Sequence, residues 1–434
     1  MNQEERQQYY LSLLHKETAP ALGCTEPAAA ALAAAYAAKA LGETVCEAEL
    51  LVSQYILKNA MNVGIPGTNM SGIAIAAAMG FVSASPEKEL MVLSGISDKQ
   101  KQAAKELAEK KKIRINLYET EEKIYIKVRA YSASHTACAV LAGGHKNLVF
   151  LKCDDRILCE KKTAQGEKNA ESEQRAPYSV TLKEIVQFIQ EVPGNKMDFL
   201  KEILRINEEI AAEGIHGGYG LEVGKNLLQG GRNGLIGTDA ANYAAALTAA
   251  AADARMAGCN MPVMSAAGSG NQGLTATIPI AAIGGRLGIQ EEKILKAAAL
   301  SILLTVHTKH YLGRLSVLCG CSISSAMGVG CGIIFMLDGT YEQMCKTVST
   351  MVADISGVVC DGAKPGCALK IATAVDSAVR AANMALNGMG AGDRDGIVCQ
   401  DVEETLANLG LLGNCGMAQA NPMILQMMLQ KQNG

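Results

Sequence analysis

Ile113-Arg-Ile-Asn-Leu-Tyr118, Ile124-Tyr-Ile-Lys-Val-Arg129, Ala137-Cys-Ala-Val-Leu141 and Asn147-Leu-Val-Phe-Leu151 follow one another closely in the middle of the first half of the chain. In the first two, apolar and polar side chains alternate strictly. The third and fourth are apolar and β-prone. A period of two places alternate side chains on opposite faces, so these runs read as strands of a half-buried sheet. Gly143-Gly144-His145-Lys146 lies between the last two and reads as a hairpin turn. The sheet is therefore expected to be mainly antiparallel. Cys46–Leu57 has strand-like content as well.

Outward from this block the period changes. Upstream, residues 1–19 read as an amphipathic helix with Tyr10, Leu11, Leu13 and Leu14 on its apolar side. Pro27 at a first helical position opens an alanine-rich helix to about Leu41. Lys58–Asn69 reads as a turn-rich loop, Ser71–Met79 as a second small-residue helix, and Lys99–Lys112 as a charged surface helix. Downstream, residues 154–180 are polar and charged and read as a linker or an exposed excursion. From Thr181 the pattern is helical almost throughout, in segments beginning at Leu182, Lys196, Thr238, Gln290, Tyr341, Ala368 and Glu403. No internal repeat of fixed period appears.

The fold class that follows is α+β: a large all-helical catalytic domain plus a smaller mixed α/β domain with a mainly antiparallel sheet. Three stretches are expected. Residues 1–42 form N-terminal helices packing on the helical domain, 43–180 the α/β domain with its charged linker, and 181–434 the helical domain.

The net charge of −3 argues against nucleic acid as a partner, since neutralising phosphates needs a basic surface. The N-terminus, Met-Asn-Gln-Glu-Glu-Arg, is polar and lacks the pattern of a secretory signal. Fourteen cysteines without such a signal suggest reduced thiols in the cytoplasm rather than a disulfide framework. Leu315–Leu337 is uncharged and long enough to span a bilayer. Its glycines, serines and three cysteines suit a buried core helix with a loop at its head better. No membrane partner is expected.

Chemistry concentrates in four places. Cys360-Asp-Gly-Ala-Lys-Pro-Gly-Cys367 puts two thiols on either side of a tight loop, and Cys319-Gly-Cys321 heads the uncharged segment. Thiolates converging from small-residue loops are what an iron–sulfur cluster requires. Cys-x-x-Cys and the usual His spacing of a zinc site are missing. On spacing alone, a metal or cluster site, a packed core and a redox switch all remain open. Met264–Pro279, rich in Gly, Ser, Asn and Thr, reads as a loop whose N–H groups and hydroxyls could grip a carboxylate or phosphate, or as a plain connection between helices. Thr305-Val-His307-Thr-Lys309-His310 could anchor an anionic substrate or simply complement a helix C-terminus. His135 and His145 read as structural or exposed. Cys24, in Leu-Gly-Cys24-Thr25-Glu26-Pro27, precedes a helix whose N-terminus would favour its thiolate; a bland hydrophobic turn is the alternative.

Taken together, Ala21-Leu-Gly-Cys24-Thr-Glu-Pro27, Gly268-Ser-Gly-Asn-Gln-Gly-Leu-Thr-Ala-Thr-Ile-Pro279, Gly313-Arg-Leu-Ser-Val-Leu-Cys319-Gly-Cys321 and Cys360–Lys370 resemble the L-cysteine desulfidase family. That family is related to the α region of iron–sulfur-dependent bacterial L-serine dehydratases. The resemblance covers nearly the whole chain. It implies a [4Fe–4S] cluster, no pyridoxal phosphate, and conversion of L-cysteine to pyruvate, ammonia and sulfide. It implies that Cys360 and Cys367 are cluster ligands and that Cys319 or Cys321 is the third; Cys319 is favoured, and Cys331 is the weaker alternative. It assigns Cys24 a catalytic role, as base or as fourth ligand. The residue types then make Thr25, Glu26, Asn69, Ser269, Asn271, His307 and Lys309 candidates to hold the amino-acid substrate. L-Serine dehydration on the same cluster is the nearest rival. A non-catalytic iron–sulfur sensor is the rival of another class, and a homodimer is an open option.

Overall fold

The α+β architecture follows from two packing problems that the chain solves side by side, an alanine-rich helix pair over a sheet and a bundle of buried helices. The structure is a computed structural model and describes residues 2–161, 180–230, 234–313 and 315–432. In chain order come α1 (Gln3–Glu17), β1 (Thr18–Ala21), α2 (Thr25–Leu41), β2 (Glu47–Val52), α3 (Gln54–Ala60), β3 (Gly64–Ile65), β4 (Met70–Ser71), α4 (Ile73–Ser83) and α5 (Asp98–Glu109). Strands β5 (Ile113–Leu117), β6 (Tyr125–Tyr131), β7 (Thr136–Ala142), β8 (Leu148–Cys153) and β9 (Arg156–Glu160) follow. The rest is helical apart from β10 (Val263–Ala266): α6 (Leu182–Glu191), α7 (Leu200–His216), α8 (Val223–Gln229), α9 (Ala240–Met256), α10 (Gly270–Arg286), α11 (Glu291–Leu312), α12 (Ala326–Met336), α13 (Tyr341–Ile355), α14 (Cys367–Leu386), α15 (Val402–Leu411) and α16 (Ala420–Gln432).

The alternating runs form a six-stranded sheet in the order β5-β2-β6-β7-β8-β9. Only β2 and β5 pair in parallel; the other neighbours are antiparallel. Leu50 faces Val128 and Ala48 faces Ala130 across β2 and β6. These residues, with Ile126, Ala139 and Leu141, present one buried face. Helix α2 lies on that face, and α4 lies against α2. Residues 28–35 of α2, all alanine but Leu32, are buried on every side of the helix, so it needs neighbours all round. The approach is close enough that a Cβ on Gly80 would stand 2.0 Å from the Ala31 carbonyl oxygen.

This corrects the expectation for residues 1–42. Helix α1 does join the helical side, where Tyr10 stacks on Phe188 at 4.9 Å, but α2 belongs to the sheet side. Conversely, α16 returns from the C-terminus to pack on α3, with Leu425 in the sheet-side core. Two local readings also change. Cys46–Leu57 divides into β2 and α3, because the short apolar run Tyr55-Ile-Leu57 fits either period; Lys58 and Asn59 therefore end a helix instead of opening a loop. The polar stretch after Asp154 begins with β9, an edge strand whose exposed residues look like linker; residues 162–179 lie outside the described residues.

The helical side buries α9, α10, α11 and α12 against one another and against α13 and α14. Leu315–Leu337 is the buried core segment expected, a wide π-type turn over Cys321–Ser325 running into α12. No helix among the described residues is long and apolar enough to cross a membrane.

Candidate active site

Two distant segments come together first. Leu318 and Val359 form an antiparallel bridge, with the Cys319 N–H donating to the Val358 carbonyl at 2.9 Å and the Cys360 N–H to the Val317 carbonyl at 2.6 Å. Cys319 and Cys360 are thus held abreast by backbone. After Cys360 the chain turns through Gly362, whose φ of +92° favours glycine and where a Cβ would meet the Lys58 carbonyl at 2.4 Å. It then enters α14 at Cys367. Asp361 pairs with Lys364 and Lys370, and Lys370 also donates to the Val359 carbonyl at 2.8 Å, which ties the loop to its helix.

Cys24, Cys319, Cys321, Cys360 and Cys367 all line one cavity. Its other walls include Thr25 and Glu26 at the start of α2, Asn59, His145 from the β7–β8 turn, Arg255 at the end of α9, Ala267–Ser269, Asn271, Gln272 and Lys309. A second hollow, by Cys153–Arg156 at the sheet edge, is open to solvent and gathers no such set.

Charges within the cavity are organised. Cys321 donates its S–H to Cys319 Sγ at 3.4 Å, and Ser322 Oγ donates to the same sulfur. These donors hold Cys319 below the ordinary thiol range and push Cys321 far above it. Cys319 is the more acidic thiol of the pair. Burial pushes Cys367 up to about 11 and raises Cys360, with Lys58 working against the latter rise. Lys58 is fully buried and donates from Nζ to the Cys360 carbonyl at 2.7 Å; burial lowers its pKa. Lys309 is pushed down to about 8, also by burial.

Cys24 precedes α2, as expected, but its side chain does not cap the helix. It donates to Glu26 Oε2 at 3.2 Å, while Asn59 Nδ2 donates to Glu26 Oε1 at 3.0 Å. Burial, then the Glu26 carboxylate, drive the Cys24 thiol upward, so the helix N-terminus does not prevail. A carboxylate beside a buried thiol outweighs a dipole.

No three or more His, Cys, Asp or Glu side chains among the described residues are arranged to hold a single metal ion. The donor set suits a larger group. Five thiols from separate segments face one space, and the Lys58, Lys309 and Lys370 cations are near enough to act on their sulfurs. A cluster several ångström across asks for separated thiolates and a compensating positive surround.

Residues 87–426 match the family described as serine dehydratase alpha chain. The chain belongs to that family. Curated proteins named UPF0597 protein are similar over almost their full length: those of Oleidesulfovibrio alaskensis at 41% identity over 97% of this chain and 98% of its own, and of Clostridium perfringens at 40% over 97% and 98%. The Bacteroides thetaiotaomicron UPF0597 protein is 39% identical over 99% of both chains. Cys319, Cys360, Cys367, Arg255 and Lys309 fall inside the matched family span, whereas Cys24, Glu26 and Asn59 precede it and are covered only by the full-length relatives.

Of the residues singled out from sequence, Cys24, Thr25, Glu26, Ser269, Asn271, Lys309, Cys319, Cys360 and Cys367 meet at the cavity of this family member. Asn69 and His307 do not. Asn69 sits exposed in the β3–β4 turn with φ of 57°. His307, on α11, is buried away from the cavity, its Nε2 2.7 Å from Glu403. Two residues along a helix is more than half a turn, so His307 and Lys309 cannot share a face. The Ser269–Thr277 "loop" is the first half of α10, its glycines serving close packing: a Cβ on Gly273 would come within 1.9 Å of the Met264 carbonyl. Cys331 lies buried in α12 with its thiol toward the Met344 carbonyl, away from the cavity. Sequence reasoning missed Lys58, Asn59, His145, Arg255 and Gln272. Arg255 had a signal, a lone arginine in the alanine run of α9.

Proposed function

We propose that this chain is a lyase that eliminates the β-substituent of a small amino acid, with L-cysteine as substrate and pyruvate, ammonia and sulfide as products. The observation that carries the reading is the convergence of five cysteines on one cavity beside buried lysines. Membership of the serine dehydratase alpha-chain family supports a lyase. Cys319, Cys360 and Cys367 would hold a [4Fe–4S] cluster, which when bound supplies an open iron as Lewis acid for the leaving sulfur.

The chain's own residues do the remaining work. The Glu26 carboxylate, already accepting the Cys24 S–H at 3.2 Å, takes that proton as Cys24 Sγ takes the proton from Cα, so Cys24 ends as a thiol and Glu26 as a carboxylic acid. The Cα–H electron pair becomes the Cα–Cβ double bond while the Cβ–S bond breaks and sulfur keeps its electrons. The aminoacrylate left behind hydrolyses to pyruvate and ammonia. Thr25, Ser269, Asn271 and Lys309 are the groups that hold the substrate, and the burial of Asn271 and Lys309 keeps competing water away.

The family description favours a second reading, L-serine dehydration at the same site, with hydroxide in place of hydrosulfide. Anaerobically reconstituted protein assayed with both amino acids separates them: sulfide and pyruvate from L-cysteine sustain the first reading, and pyruvate from L-serine alone replaces it. A coloured protein inert toward both overturns both and leaves an iron–sulfur sensor. Cys360→Ser and Cys367→Ser are expected to lose the visible absorption, and Cys24→Ser to keep it while losing turnover.

A further inference from the structure

Arg255 closes the last turn of α9, a helix built almost wholly of alanine, and is 3% exposed. Its Nη1 donates to Asn271 Oδ1 and its Nη2 to the Gly23 carbonyl, both at 2.7 Å, while Nε is buried with no partner. Both partners are neutral. No carboxylate forms an ion pair with it among the described residues. A guanidinium buried among neutral groups is costly unless an anion completes its surroundings.

The surroundings are shaped for one. The guanidinium borders the cavity, and Gly270 makes room for it: a Cβ there would lie 2.5 Å from Cζ. Two long helices, α2 and α10, begin at the same wall, at Thr25 and Gly270, and direct N–H groups and positive dipole ends toward it. The cavity also has a direction. Arg255 is fixed at one end, on the Gly23 carbonyl beside Cys24, whereas the Lys309 amine lies at the other, 3.3 Å from where a Cβ on Gly320 would stand, between Cys319 and Cys321.

We infer that Arg255 anchors the α-carboxylate of the amino-acid substrate, so that Cα faces Cys24 Sγ and the β-substituent points toward Cys319, Cys360 and Cys367. The inference rests on the lyase reading above for the identity of the substrate. A bidentate guanidinium fixes a carboxylate plane as well as its position, which an ammonium does not.

The test uses the full chain and two readouts. By saturation-transfer NMR, wild type is expected to bind L-alanine, which has the carboxylate but no leaving group, and to ignore ethylamine, which lacks the carboxylate. Arg255→Gln, with native far-UV circular dichroism, is expected to lose that discrimination and to raise KM for L-cysteine on the order of 10- to 100-fold. Discrimination retained in Arg255→Gln, or absent from wild type, overturns the anchor. Should Arg255→Gln fail to fold, Arg255→Lys decides. A KM for L-cysteine raised about tenfold, with kcat falling less, sustains the anchor; an unchanged KM overturns it. The two readings fail separately. Turnover with an indifferent Arg255 sinks the anchor alone, and carboxylate discrimination without turnover sinks the lyase alone.

Discussion

Gly273→Ala should damage this protein through backbone collision, and Gly285→Ala, in the same helix, should not. A Cβ on Gly273 would lie 1.9 Å from the Met264 carbonyl oxygen and 2.8 Å from the Ser265 Cα. Ordinary contact begins near 3.4 Å, so α10 must back away from β10 by about 1.5 Å. Both obstructing atoms are backbone, and β10 is itself tied to β1 and, through the Met264 N–H and carbonyl, to Asn207. Overpacking of this kind costs roughly 1–3 kcal/mol, and more where neither side can yield. Helix propensity returns about 1 kcal/mol. The expected net loss is about 2 kcal/mol. A Cβ on Gly285 would meet nothing within 4 Å and would face solvent, so alanine there should stabilise by up to about 1 kcal/mol. The functional effect follows from place: Asn271 and Gln272 ride on the turn that moves, and a displacement of about 1 Å can cost on the order of 100-fold in rate. Urea unfolding and kcat/KM for L-cysteine measure both effects. A Gly273→Ala protein as stable and active as wild type would falsify the close α10–β10 approach and the role given to that turn.

Cys319→Ser should abolish the visible absorption of reconstituted protein while Cys321→Ser keeps most of it, because Cys319 is the more acidic of the two thiols and also accepts from Ser322; the reverse pattern would exchange their roles. His307→Ala should destabilise by about 3 kcal/mol in urea melts, by stripping a buried partner from Glu403, yet leave KM for L-cysteine unmoved. A raised KM would return His307 to the cavity. Asp253 is buried at 1% exposure and burial pushes its carboxyl up to about 6. The folded state therefore holds a proton between about pH 4 and 6 that the unfolded chain has released, and stability falls as pH rises through that window. Lowering the pH from about 7 to 5 should add about 1 kcal/mol to wild type, and Asp253→Asn should lose that pH dependence. Parallel pH profiles for the two proteins would show that Asp253 is not the source.

Much of the site was legible in sequence because its thiols stand in short strings marked by glycine. Cys360, Gly362 and Cys367 stand in one short string, and Gly362 is there for a positive φ and for contact with the Lys58 carbonyl. The Ser269–Thr277 string reads as a loop because glycine and serine weigh against a helix by propensity. Tertiary packing outweighed that, since α10 needs small residues to approach β10 and to seat Arg255. Lys58 gave no local sign, because nothing near it in the chain reveals that its amine is buried against Cys360, far along the sequence.

The sequence by itself determined the class of the fold, through period-two runs between helical ones, and the identity of the thiols. Only the tertiary structure decided what surrounds them. The bridge between Leu318 and Val359 sets Cys319 beside Cys360, the docking of α2 on the sheet carries Cys24 and Glu26 to the same space, and the end of α9 delivers Arg255. Local pattern encodes which way one side chain faces relative to its neighbours in the chain. The field that a buried charge feels is set by groups hundreds of residues away, as with Arg255 and the Gly23 carbonyl, and those become neighbours only on folding.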